Sequence, residues 1–148
     1  MNTDHAFWQT IDRYHSPLNT LLNLVSNVRR LVYSASSSVY GNTETIPCKE
    51  TDQINPISPY AIQKYYGEVQ AKMFSEIFNS QTVSLRYFNA YGERQNIDGA
   101  DATVLGIFAH QKLNNNPMTI RGDGEQKRDF TYVGDIVRAN RLAMLSEK

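Results

Sequence analysis

Tyr60 and Lys64 stand four residues apart in the run Tyr60-Ala-Ile-Gln-Lys64. On a helix that spacing puts both side chains on one side. A free phenol holds its proton to a pH of about 10, too high for a base near neutrality. A neighbouring ammonium favours the phenolate, so the pair could take a proton from a substrate hydroxyl. Taken alone the spacing says little, because a solvated lysine lying over a tyrosine ring is the commoner outcome. A second feature lies upstream, where Leu31-Val32-Tyr33 runs into Ser34-Ala35-Ser36-Ser37-Ser38 and then Val39-Tyr40-Gly41. A serine hydroxyl at the end of a parallel strand could bond a substrate hydroxyl and share the proton that the tyrosine removes. Serine runs commonly mark turns, so this feature too gains meaning only in combination.

The elements that must position these groups follow from the apolar pattern. Leu31-Val32-Tyr33 is a short β-type run of the buried parallel kind. Pro59 predicts a helix start, and Tyr60 to Phe78 carries a long helical pattern. Thr82 to Tyr87 predicts a second strand, with a polar loop from Asn42 to Ser58 between. A further loop reaches Asp101, and a helix is expected over Thr103 to Leu113. Met118–Ile120 and Asp129–Tyr132 read as short strands around Gly122-Asp123-Gly124. A closing helix is expected over Gly134 to Leu145, with Asp135 in its first turn. Toward the start, Phe7, Trp8, Ile11 and Tyr14 form one apolar stripe, and the leucines at 18, 21, 22 and 24 suggest a helix from 16 to 27. Strand, helix, strand, helix argues for an α/β fold with parallel pairing, in a single domain over 1–148.

Composition bounds the partners. The 15 basic and 15 acidic residues cancel, so no long-range field draws in nucleic acid or an anionic membrane, and an anionic ligand needs a local site. One cysteine, Cys48, allows no internal disulfide and fits a reducing cytoplasm. No apolar run is long enough to span a membrane, and the polar start with Asp4 is unlike a secretory signal. The expected compartment is the cytoplasm. No metal site is expected.

Taken together, the serine run and the Tyr60-Lys64 pair resemble the Ser, Tyr, Lys set of the extended short-chain dehydrogenases/reductases, the NAD-dependent epimerase/dehydratase family. Leu85-Arg86-Tyr87-Phe88-Asn89-Ala90-Tyr91-Gly92 looks like that family's next signature, and the run from Gly122 through Arg128 to Asp135 like the one after. Within the family, Ser36-Ser37-Ser38-Val39-Tyr40-Gly41 is most similar to UDP-sugar 4-epimerases; the dehydratases and decarboxylases usually carry an acidic residue in the place of Ser37 or Ser38. The resemblance implies a partial Rossmann-like parallel sheet with flanking helices, plus part of the small substrate-binding region. It implies that Tyr60 is the base, Ser36 its bridge to the sugar, and Lys64 the residue that holds the nicotinamide ribose of NAD. Phe88 is then expected along the cofactor. The UDP-sugar is expected against Ser36, Ser37, Asn89, Thr103, Val104, Phe108, Arg121 and Arg128, with Phe108 either stacking on the base or simply packing in the core.

The glycine-rich turn that cradles a dinucleotide pyrophosphate is not found in this sequence, whose first glycine is Gly41. The expectation is therefore an epimerase-like chain that is incomplete alone and binds a UDP-sugar better than NAD. Two alternatives stay open: one half of a split epimerase, its partner supplying the NAD-binding half, and a non-catalytic nucleotide-sugar-binding remnant. Self-association is expected through the helix of residues 60–78, where Tyr65, Val69, Met73, Phe74, Ile77 and Phe78 give more apolar surface than a small sheet buries.

Overall fold

The computed structural model describes residues 28–97 and 102–146. The apolar stripe of residues 7–14 and the helix expected over 16–27 lie outside these. The chain divides into two compact units between Arg86 and Tyr87.

The first unit is a β–α–β arrangement. Strand β1 covers Leu31–Ser36, helix α1 covers Pro59–Phe78 and strand β2 covers Thr82–Tyr87, with β1 and β2 neighbours in one sheet. The Leu31 amide donates to the Gln81 carbonyl at 2.8 Å, which joins the beginnings of both strands, so they run parallel. Ser58 caps α1 by accepting from the Ala61 amide at 3.1 Å, Pro59 fills the first turn, and Asn79 ends the helix in a left-handed conformation. One face of α1 buries Ala61, Gly67, Glu68, Ala71 and Phe74. Small residues on that face let the helix lie close to the strand. At Gly67 the approach is closest: a Cβ there would meet the Tyr33 hydroxyl oxygen at 2.1 Å. The Thr82 hydroxyl also donates to the Ala71 carbonyl at 3.1 Å, fixing the return of the chain.

The serine run straddles two elements: Ser34 to Ser36 complete β1, and Ser37-Ser38 open a single 3-10 turn over Ser37–Tyr40. Ser36 caps it by accepting from the Ser38 amide, and Gly41 closes it at φ +60°. The Asn55 amide donates to the Val39 carbonyl at 2.9 Å, so the loop of residues 42–58 folds back onto the turn. Val39 and Tyr40 are buried.

The second unit pairs strand β3 (Asn89–Tyr91) with strand β4 (Phe130–Tyr132) in parallel, Asn89 opposite Phe130 and Tyr91 opposite Tyr132. Helix α2 spans Val104–Leu113, with Thr103 at its cap position, and helix α3 spans Val133–Leu145 directly after β4. The Tyr87 hydroxyl donates to Asn140 Oδ1 of α3 at 2.9 Å.

The α/β class and the parallel pairing read from the sequence are what the structure shows. Of the two short strands expected around Gly122-Asp123-Gly124 only the second forms: residues 118–120 form no strand. The Thr119 amide and hydroxyl are taken by the Gln111 side chain, at 3.1 and 2.9 Å. β4 pairs instead with β3, whose Asn-Ala-Tyr sequence has too little apolar content to read as a strand.

Gly41 generates a prediction. An alanine there would be held in the left-handed region with its Cβ 2.1 Å from the Asn55 carbonyl oxygen. Gly41→Ala is expected to cost at least about 2 kcal/mol, from the left-handed penalty and the clash together. Urea unfolding at equilibrium checks this, and a loss under about 0.5 kcal/mol, the usual scatter for surface changes, counts against it.

Candidate functional site

The first unit gathers Ser36, Ser37, Tyr60 and Lys64. Ser36 is buried at the end of β1, and its Oγ accepts from the Ser38 amide at 3.2 Å and from the Ser38 hydroxyl at 2.9 Å. Ser37 opens the 3-10 turn. Tyr60 lies in the first turn of α1 with its side chain exposed. One helical turn on, Lys64 reaches back to β1, and its ammonium donates to the Ser34 carbonyl at 3.0 Å. The same Nζ lies 5.8 Å from the centre of the Tyr60 ring and 5.7 Å from that of Tyr33. Lys64 is thus not a free surface lysine. It stands between two phenol rings, where cation–π attraction helps hold it, and a main-chain oxygen fixes its end.

Tyr33 is the group that reading the sequence missed. Its run was legible as a strand, but nothing in the sequence alone said that its ring would reach Lys64. Burial pushes the Tyr33 phenol above its ordinary range, and the Glu68 carboxylate and Tyr60 push it the same way. It therefore stays neutral, an apolar wall with a donor at its tip. The signal that could have found it is the glycine at 67, since a helix residue without a side chain beside an aromatic strand marks a close approach.

A second group also went unassigned. Arg86 and Glu68 form an ion pair at 2.7 Å, with the Tyr40 hydroxyl joined to it by Arg86 Nη1 at 2.9 Å.

The second unit carries the remaining expected residues. Phe88, half-buried, lies between β2 and β3. Asn89 begins β3, and both its main-chain amide and its Nδ2 donate to the Asp129 carbonyl, at 3.2 and 2.8 Å. Those bonds reach the residue after Arg128, whose own exposed guanidinium donates to the Lys127 carbonyl at 2.8 Å. Thr103 and Val104 stand at the start of α2, where the Gln95 amide meets the Thr103 hydroxyl. Phe108 is half-buried on the same helix. Arg121 is exposed in the loop ahead of Gly122 and lies on no element shared with the others. The unit therefore ties Asn89 to the main chain next to Arg128, and carries Val104 and Phe108 on α2 with Thr103 at its cap position.

Among the described residues there is no cluster of three or more His, Cys, Asp or Glu that could hold a metal ion. No helix among them is long and apolar enough to cross a membrane.

The profile of the NAD dependent epimerase/dehydratase family matches residues 8–148. Among solved structures, a UDP-N-acetylglucosamine 4-epimerase from Methanobrevibacter ruminantium M1, in complex with UDP-N-acetylmuramic acid, is similar at TM-score 0.89 and 36% identity, over 95% of this chain and 46% of that one. A UDP-glucose 4-epimerase from Thermotoga maritima with UDP-glucose gives TM-score 0.82 and 39% identity, over 86% of this chain and 42% of the other. A UDP-glucuronic acid 4-epimerase from Bacillus cereus, in complex with UDP-glucuronic acid and NAD, gives TM-score 0.80 and 31% identity, over 93% and 43%. The chain spans less than half the length of these relatives. With a lysine held beside a tyrosine at a serine-bearing strand end and the family profile running through nearly all of its residues, the chain belongs to the NAD dependent epimerase/dehydratase family.

Proposed function

We propose that this chain carries the proton-transfer and nucleotide-sugar groups of a UDP-sugar 4-epimerase. The observation that carries the reading is the Lys64 ammonium, fixed at Ser34 beside the exposed Tyr60 phenol and two residues from the buried Ser36 hydroxyl. The 4-epimerase names of its structural neighbours support it.

In this reading Tyr60 takes the proton from the sugar O4 hydroxyl, with Ser36 bridging the two oxygens. NAD, held at its ribose by Lys64, would supply the hydride acceptor and donor that exchange at the sugar C4 requires. Lys64 fits the ribose end of that cofactor: an ammonium has three N–H donors, and Lys64 directs one at Ser34, which leaves donors for ribose hydroxyls. Phe88 would lie along NAD. Arg128 would hold the diphosphate, where a guanidinium's forked donors suit phosphate oxygens, and Asn89 would hold the Arg128 segment or meet the diphosphate itself. Ser37, Thr103, Val104, Phe108 and Arg121 complete the proposed nucleotide-sugar contacts.

We also propose that two copies associate through α1. Ile62, Tyr66, Val69, Met73 and Ile77 are all exposed at spacings of three and four, an apolar stripe along one side of the helix. Of the residues expected there, Phe74 instead packs inward, its ring 5.0 Å from that of Phe78.

Three outcomes follow. Wherever the chain turns over UDP-glucose, alone or with a partner that supplies the NAD-binding half, Tyr60→Phe should lower 4-epimerisation at least about 100-fold, the scale of a lost general base, and Lys64→Met should weaken both NAD binding and rate. Unchanged turnover in Tyr60→Phe would remove the mechanism. Arg128→Ala should weaken UDP binding about tenfold or more in calorimetry, the loss expected for a charge-assisted contact of about 1.5–3 kcal/mol. Equal affinity in the variant would take Arg128 out of the site. Light scattering should give a mass near twice 16.9 kDa, and Val69→Glu should restore the single-chain mass. A single-chain mass at every concentration of the unaltered protein would refute the dimer.

A further inference from the structure

Arg86 lies in the signature that follows Leu85, yet the reading above gives it no part. Its contacts are unusually complete. Nε donates to both Glu68 carboxylate oxygens, at 3.0 and 3.1 Å, and Nη2 donates to Glu68 Oε2 at 2.7 Å. Nη1 donates to the Tyr40 hydroxyl at 2.9 Å and to the Glu50 carbonyl at 3.2 Å. The guanidinium also lies over the Tyr40 ring, 5.0 Å from its centre. Glu68 and Tyr40 are buried. The Glu68 hydrogen bonds raise the Arg86 pKa further above its already high value, so the positive charge is permanent.

All three guanidinium nitrogens are engaged by the protein, which argues against Arg86 as an anion-binding residue. What it joins is more informative. Glu68 is on α1, four residues past Lys64 and so on the same side of the helix. Tyr40 is the last residue of the 3-10 turn that Ser36 caps. Glu50 belongs to the loop that returns to that turn through Asn55 and Val39. One side chain therefore touches the helix that carries Tyr60 and Lys64, the turn that carries Ser36, and the loop between them.

We propose that Arg86 is a positioning residue, which holds the Ser36 turn in fixed register with the Tyr60–Lys64 helix. The inference rests on the reading of Ser36, Tyr60 and Lys64 as the reacting groups. The alternative is an ion pair that supports the fold and nothing else. Geometry favours positioning, because a pair that only stabilised α1 against β2 would need Glu68 alone. The Tyr40 and Glu50 contacts add a link to the turn. Misplacing a reacting group by about 1 Å can cost a rate factor on the order of 100, so such a link has kinetic weight.

Two variants of the full chain test this. Tyr40→Phe deletes the hydroxyl acceptor and keeps the buried ring. Arg86→Lys keeps the charge, but one ammonium cannot reach Glu68, Tyr40 and Glu50 together. Amide hydrogen exchange should quicken about tenfold at Ser38 and Gly41, the two amides that close the turn, while the interior of α1 exchanges at its former rate in Tyr40→Phe. With NAD and UDP-glucose present, kcat should fall about tenfold in both variants, with KM for UDP-glucose held within about twofold. Unchanged exchange at Ser38 and Gly41 in both variants overturns the proposal, whatever the activity. Faster exchange with an unchanged kcat overturns it as well, since the turn's register would then not matter to the reaction. Failure of the parent reading looks different: turnover that survives Tyr60→Phe, while the exchange measurement, which needs no turnover, still decides whether Arg86 couples turn to helix.

Discussion

How near α1 can come to β1 is decided at one point, where the Tyr33 ring occupies the space that a side chain at position 67 would fill. Every placement in the first unit refers to that separation. With the helix this close, Lys64 can extend to the carbonyl of Ser34 and lie between the rings of Tyr33 and Tyr60. A helix held further out would leave the ammonium in water and the phenol without a fixed cation. The small residues Ala61 and Ala71, nearly wholly buried, extend the same close contact along the helix. The hydrophobic contribution of such residues is modest, and their value lies in what they leave out. Larger side chains on this face would add buried area and lose the site.

Much of this unit was legible in the sequence because its signals are local. Pro59 after Ser58 marked the helix start, and β2 was read with the limits that the structure shows. The strand read over Leu31–Tyr33 runs on through Ser36, and the turn begins only with Ser37-Ser38. What could not be read were contacts between residues distant in the chain. Tyr33 against Gly67 and Arg86 against Tyr40 arise only once the crossover has folded; Gly67 marks a close approach, and Arg86 and Tyr40 give no such local sign. The expected apolar stripe on α1 was right in kind and partly wrong in membership, because Phe74 faces inward while Ile62 and Tyr66 face out. Counting apolar residues finds the stripe; only the position of the sheet says which of them it covers.

In the second unit the local signals were weaker. Gly122 and Gly124 both take positive φ and marked a turn correctly. Short strands were read on both sides of that turn, yet the one after it pairs with residues some forty positions earlier. Asn89 makes that pairing specific by giving two donors to one carbonyl, that of Asp129. A side chain that also tops off a strand pair cannot be told, from sequence, apart from one that waits for a ligand. Tyr132 adds a further tie, its hydroxyl donating to Glu93 at 3.0 Å while its ring lies 5.7 Å from that of Tyr91.

The lysine's anchor is a main-chain oxygen, and this bears on how the sequence can drift. No substitution at position 34 deletes a carbonyl, so the anchor itself does not depend on which side chain stands there. Tolerance is confined elsewhere. A larger residue at 67 or a different ring at 33 changes the distance that the lysine must cross, and a change at one can be answered by a change at the other. Positions 33 and 67 should therefore vary as a pair among descendants of this sequence.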